Sequence, residues 1–414
     1  MSSKPKTTAT KEEAKPALVP KLRFPEFRKL VGWSPTPLKT IADPVTERAT
    51  QGDEDNVLSL SAEHGIVPQS EFFGKKVAGD NSERYLKIVR DDFVYNDRTT
   101  KASTFGTIKR LSKHSGGIVS PIYKCFRFHA DENPVFWEQY FESGNHDAAL
   151  RGLVNEGARA GRFNISITQF LSTAACRPDD TEQQKIAECL SSVDELMAAQ
   201  ARKVDALKTH KKGLMQQLFP REGETQPHLR FPEFQNAGEW ENDNLGAVCE
   251  LYQPVTLASS ELSMTGEHLV YGANGVIGTH NEYNHEESEI AVTCRGATCG
   301  EVTTTKPKSW ITGNAMVLRP RSEKLRKDFI FHYFKNHGLK TVISGSAQPQ
   351  ITRTGFAPLV IFFPKPAEQQ RIATCLSSLD ALIAAETQKH EALKTHKKGL
   401  MQQLFPSPEQ RTTS

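Results

Sequence analysis

EQQKIAECLSSVDELMAAQARKVDALKTHKKGLMQQLFP occupies Glu182–Pro220, and EQQRIATCLSSLDALIAAETQKHEALKTHKKGLMQQLFP occupies Glu368–Pro406. The two stretches align without a gap at an offset of 186, and 29 of 39 positions are identical. A shorter echo stands ahead of each: KLRFPEF at Lys21–Phe27 and HLRFPEF at His228–Phe234, at an offset of 207. Trp33/Trp240 and Leu38/Leu245 follow at that same offset. The chain therefore reads as one unit written twice: short motif, variable region, long helix. Repeats of this length are domains rather than solenoid units. The near-identical parts imply one job done twice, and the dissimilar parts imply two different jobs.

The repeated stretch has a helical pattern. Ile186, Leu190, Val193, Met197, Val204, Leu207, Leu214 and Leu218 recur by threes, fours and sevens, a coiled-coil seam with Gln200 and Lys211 at its skipped positions. The second copy offers Ile372, Leu376, Leu379, Ile383, Leu393, Leu400 and Leu404, interrupted by Glu386, His390 and Lys397. Neither contains an internal proline; Thr181 is the predicted N-cap of the first helix, and Pro220 and Pro406 are stops. At 1.5 Å per residue each helix spans roughly 55 Å. So narrow a seam needs a partner helix, and the other copy is the obvious one. The matching tails, Leu207–Phe219 and Leu393–Phe405, are basic, carry Met215 and Met401, and suit docking of two copies of one partner.

Around the helices, the order is a polar tail at 1–20 expected to be disordered, a first variable region at 21–178 and the first helix at 179–220. A linker at 221–228, a second variable region at 229–366, the second helix at 367–406 and a disordered tail at 407–414 follow. Both variable regions are turn-rich and α+β in texture. Strand-like runs are Val57–Val67, Tyr85–Asn96 and Gly116–Phe128, then His268–Gly278, Glu289–Val302 and Ile311–Pro320. Glu132–Ser143 and Leu325–His337 are short helices at matching places. A length of 414 residues suits two to three domains. Net charge is only +3, so any basic surface is local. Seven cysteines, no apolar leader and no run of eighteen apolar residues predict a reduced, cytoplasmic protein.

Catalytic signatures are missing. Cys294 and Cys299 lack the second close pair that a zinc site needs, and Asn284–Glu289 has no HExxH spacing. Gly272–Gly278 and Ser115–Gly117 do not match a phosphate loop or dinucleotide fingerprint. The informative polar residues lie in loops: Lys75, Lys76, Arg98, Lys101, Lys109, Arg110, Lys113, Arg162 and Asn164 in the first variable region. Asn274, Asn281, Arg295, Gln348, Gln350 and Arg353 are their counterparts in the second. Arg, Lys, Asn and Gln between glycines and aromatics suit contacts to phosphates and base edges of DNA. The plain alternative for each is a solvated loop; for the chain, it is a coiled-coil scaffold or a fused methyltransferase or nuclease.

Two variable regions, each followed by an EQQ(K/R)IA…LSS(V/L)D…LMQQLF helix and opened by RFPEF…W, resemble the specificity subunit of type I restriction–modification systems. YGANGVIG, TCRGATCGEV, WITGNAMVL and GSAQPQIT add to the likeness in the second region, as do FFGKKV, DDFVYNDR and GGIVSPIYKCF in the first. The resemblance covers about 21–406; the first region has GARAGRFNISITQ where the second has GSAQPQITRTG. It implies an α+β architecture. Two pseudo-two-fold related α/β target recognition domains are separated by an antiparallel pair of long coiled-coil helices. It also implies a DNA-reading subunit without catalysis, partnered by double-stranded DNA, two methyltransferase subunits and restriction/translocase subunits. S-adenosylmethionine, ATP and Mg²⁺ would then belong to those partners, with no metal or cofactor in this chain.

Overall fold

The computed structural model describes residues 18–53, 56–73, 82–99, 103–153, 163–273, 275–345 and 347–406. Residues 1–17 and 407–414 of the two expected tails lie outside this set. Leu18, within the first expected tail, is buried and exchanges two backbone hydrogen bonds with Trp33. The chain divides into two units, residues 1–199 with 390–414 and residues 200–389.

In the first unit, Phe93–Asn96 and Lys124–Phe128 form the centre of a four-stranded antiparallel sheet, flanked by Ala42–Pro44 and Thr107–Arg110. Phe93–Asn96 is almost fully buried and reads as an apolar run, whereas Lys124–Phe128 buries Cys125, Phe126 and Phe128 and leaves Arg127 exposed. A second sheet holds Gly65–Pro68, Val57–Ser61, Gly116–Val119 and Leu86–Val89, with a parallel pair in its middle. Ser34–Pro37 and Ala174–Arg177 make a separate ribbon, and the helix Pro134–Glu142 buries Phe136, Trp137 and Tyr140 in the core.

The second unit repeats this plan with different residues. Its main sheet is Cys249–Tyr252, Ala315–Pro320, Ile290–Thr293 and Val302–Thr304 in the same order and sense. Its smaller sheet, Gly275–His280, His268–Gly272 and Trp310–Ile311, keeps the parallel pair. The ribbon is Glu241–Asn244 with Val360–Phe363, and the short helix is Lys327–His337. Two unlike sequences thus satisfy one topology.

The repeated motifs bind helix to domain, identically in both units. Arg23 makes a bidentate, buried ion pair with Glu182 (2.8 and 2.6 Å), and the half-buried Arg230 makes the equivalent bidentate pair with the buried Glu368 (2.9 and 2.5 Å). The next residue of each EQQ motif is fully buried: Gln183 accepts from the Asn133 N–H and Gln369 from the Arg326 N–H, satisfying donors where the short helices begin. At the other end, Leu22 N–H donates to Gln403 O and Leu229 N–H to Gln217 O, each at 2.9 Å. The tails' last apolar residues are core: Phe405 lies edge-on to Trp33, and Phe219 lies against Phe329 and Tyr333.

The long helices run Asp180–Leu218 and Pro366–Leu404. The first is capped by Asp179 rather than Thr181: the Asp179 carboxylate accepts from the Glu182 N–H (2.9 Å), and Thr181 already lies inside the helix. Ile186 and Leu190 are buried in the first unit's core and Ile372 and Leu376 in the second's, so the ends of the apolar stripes are covered by the globular parts. Val193 and Val204 are buried, while Met197, Leu207, Leu214, Leu379, Ile383, Leu393 and Leu400 are half-buried. Ion pairs and hydrogen bonds join helix to helix. In the second unit Lys211 pairs with Asp380 (2.5 Å), and Gln200 and Lys203 bond Glu386 (2.6 and 2.5 Å). In the first, Lys397 pairs with Asp194 (2.8 Å). Rising numbers meet falling numbers, so the helices are antiparallel. Asp194 and Lys397 are the repeat equivalents of Asp380 and Lys211, and Gln200 meets its own equivalent, Glu386.

Candidate nucleic-acid interface

In the second unit three loops converge on one edge. The strand Ile290–Thr293 runs into Cys294 and Arg295, and this segment is met by the loop preceding the short helix Arg353–Phe356. Arg295 and Gln350 form an antiparallel bridge; Ile351 N–H donates to Cys294 O (2.9 Å) and Gly296 N–H to Pro349 O (3.3 Å). The tip of the hairpin His268–His280 is tied in by the hydroxyls of Thr293 and Thr298, which both donate to Ala273 O (2.9 and 2.7 Å). Gly345 closes the loop at φ +82, and a Cβ there would stand 2.6 Å from Gln348 O, so only glycine fits. Arg295, Gln348, Gln350 and Arg353 are all exposed on this assembly. Asn281 is exposed as well, but it follows the far end of the strand Gly275–His280, roughly 20 Å along from the tip.

The first unit builds the same junction by other means. Phe93–Asn96 runs into Asp97 and Arg98, as Ile290–Thr293 runs into Cys294 and Arg295. The buried Asp97 accepts the Phe163 N–H at its backbone carbonyl (3.3 Å) and the Ile165 N–H at its carboxylate (3.1 Å). That fixes the exposed Asn164 (φ +54) beside the exposed Arg98. Ser166 then caps the helix Ile167–Ser172, as Thr352 caps Arg353–Phe356. Arg98 with Asn164, and Arg295 with Gln350, are thus an arginine and an amide at matching places.

Other candidates sit elsewhere. Lys109 is paired with Glu142 (2.7 Å), and Arg110 with Glu138 and Asp91 (2.7 and 2.6 Å), so the carboxylates of the neighbouring helix and turn take up their charge. Lys113 is exposed near His64 O. Lys75, Lys76, Lys101, Arg162 and Asn274 lie outside the described residues. Asp97, Thr293 and Thr298 lie within DDFVYNDR and TCRGATCGEV but are not among the candidate site residues read from the sequence; a polar residue at or beyond the end of a buried strand is common in any β-rich domain. Burial pushes the Cys294 thiol up to about 11, and among the described residues no three His, Cys, Asp or Glu side chains group as metal ligands. His285 of the Asn284–Glu289 segment is buried, its Nδ1–H donating to Asn284 and its Nε2 accepting from Tyr252 OH (3.0 Å), an arrangement that orients a loop.

Residues 237–395, which include the whole second junction, match the family model described as the type I restriction modification DNA specificity domain. The chain is similar to type I restriction–modification specificity subunits. It is 27% identical over 206 residues to the MjaVIII specificity subunit of Methanocaldococcus jannaschii, covering 46% of this chain and 47% of that one. It is 29% identical over 118 residues to the EcoprrI specificity subunit of Escherichia coli, covering 28% and 29%. The matches thus span about half or less of these relatives' lengths. Among solved structures, the type I S subunit from M. genitalium superposes with a TM-score of 0.59 at 13% identity, covering 94% of this chain and 100% of that one. A chain from a type I system solved for its complex assembly and conformational transition gives 0.54 at 17%, covering 91% and 98%. At such identities the shared feature is the specificity-subunit fold.

Proposed function

We propose that each unit reads one half of a bipartite, asymmetric DNA site, and that the paired helices set the spacing between the halves. The carrying observation is the repeated junction: one scaffold, made twice, presenting Arg98 and Asn164 in one unit and Arg295 and Gln350 in the other. Arginine suits guanine O6 and N7, and a side-chain amide suits adenine N6 and N7. Different surroundings on equal scaffolds make a non-palindromic site. The pseudo-two-fold relation of the units and a spacing near one DNA turn, about 34 Å, belong to this proposal.

The chain on this reading is not an enzyme. It acts with two methyltransferase subunits docked on the helices and with restriction/translocase subunits, in the cytoplasm. S-adenosylmethionine, ATP and Mg²⁺ serve those partners. Among the described residues no helix is long and apolar enough to cross a membrane.

Selection of bound duplexes from a random pool, with the chain assembled with its methyltransferase subunits, tests the reading. Arg295→Ala with Gln350→Ala should blur one half of the consensus, and Arg98→Ala with Asn164→Ala the other, at about 1–3 kcal/mol per lost bidentate contact. A single continuous consensus, or no enrichment at all, would favour a coiled-coil scaffold without a DNA role.

A further inference from the structure

Each unit has a cavity beside the same residue of the repeat, Met401 in the first and Met215 in the second, and the two are lined by opposite charge. Among the described residues around Met401 stand Glu63, Glu142 and Asp147, and the one lysine, Lys109, is bound to Glu142. The cavity beside Met215, of about 930 Å³, is lined by Lys208, Lys211, Lys212, Arg221 and Lys335. Lys208 and Lys212 share a helix face one turn apart. Pro220 stops that helix and turns Arg221 into the wall, and His337 Nε2 lies 2.8 Å from Pro220 O, which holds the end of the Lys335-bearing helix alongside.

The charges do not cancel. Asp380 is occupied by Lys211, Glu222 is the second lining carboxylate, and Glu301, which does not line the cavity, approaches Lys335 at 3.6 Å. Among the described residues no carboxylate lies within ion-pair distance of the Lys208, Lys212 or Arg221 side chains. Two helix C-termini face this region and together offset about one charge. Five cations against Asp380, Glu222 and the nearby Glu301, with these dipoles, leave about one positive charge around the space, and Lys208, Lys212 and Arg221 can turn to a phosphate group.

We propose that this cavity binds a phosphate-bearing ligand, once per chain, through Lys208, Lys212, Arg221 and Lys335. The acidic wall at the equivalent place in the first unit repels the same ligand. The source is either a free polyphosphate or the backbone of DNA lying along the second unit. The free-anion arm stands independently of the half-site reading, and the DNA arm rests on it.

The test titrates the full-length chain with inorganic tripolyphosphate and, separately, with a non-specific DNA duplex at several salt concentrations. The proteins are the parent, Lys212→Gln with Lys335→Gln, and Lys398→Gln, the repeat equivalent of Lys212 in the first unit. Unchanged melting temperatures confirm that the variants fold. A free-anion site gives one tripolyphosphate per chain, weakened at least tenfold by the double variant and unaffected by Lys398→Gln. A DNA-backbone site gives a salt dependence of duplex binding reduced by about two ions in the double variant alone. If neither titration separates the double variant from the parent, or Lys398→Gln has an equal effect, the proposal is overturned.

Discussion

Arg23→Met should destabilise the first unit by about 3–5 kcal/mol, the cost of leaving one charge of a buried pair without its partner. The Arg23 and Glu182 side chains are 5% and 1% exposed, and two hydrogen bonds join them, so water cannot replace the guanidinium. The same guanidinium also donates to Leu30 O and Val31 O. Arg23→Met with Glu182→Met removes both charges and should recover most of the loss. It would retain a deficit of about 1–2 kcal/mol for those two carbonyl contacts. For a unit of this size a loss of 3–5 kcal/mol corresponds to a fall of roughly 6–20 °C in its melting temperature. Differential scanning calorimetry with hydrogen-exchange mass spectrometry would assign the transition, and Arg230→Met should move the other unit's transition instead. A loss under about 1 kcal/mol, typical of an exposed pair, or a double variant as damaged as the single one, would refute the claim that these pairs clamp helix to domain.

Phe405→Ala should destabilise only the first unit and Phe219→Ala only the second, each by about 3–5 kcal/mol, read as separate shifts in urea unfolding curves. Burial lowers His146 and His332 to about 4 each, so both are neutral in the fold and take up a proton on unfolding. The stability they permit is therefore present above about pH 6.5 and is lost as pH falls toward 4, by up to about 1.4 kcal/mol per pH unit for each histidine. His146→Gln should flatten that slope for the first unit in calorimetry across this range. Gly345→Ala, with its Cβ forced against Gln348 O, should weaken selection of the second half-site while leaving the first intact, as scored by duplex selection.

The repeat made the architecture legible because it marks what is done twice. Heptad spacing identified both helices, and buried strands such as Ile290–Thr293 stood out as apolar runs between turns. What the repeat does at the atomic level was not legible. Arg23 and Glu182 are 159 residues apart, and nothing local in LRFPEF or EQQ announces that one holds the other. Their recurrence in both units was visible, but its cause needed the fold. The proposed reading surface was legible only as composition. Lys109 and Arg110 resemble phosphate contacts until Glu142 and Glu138 are seen beside them. Asn164 comes to the strand end that carries Arg98 because Asp97 captures the backbone on both sides of Asn164.

The proposed division of labour between the two units is tested most directly by mapping methylated sites in cells that carry this chain with the methyltransferase subunits proposed for it. The comparison is with cells whose chain has residues 22–178 exchanged for another family member's first variable region. Two half-sites separated by a fixed gap are expected for the parent, and the exchange should alter one half while leaving the other half and the gap unchanged. A motif without a gap, or an exchange that rewrites both halves, would contradict it.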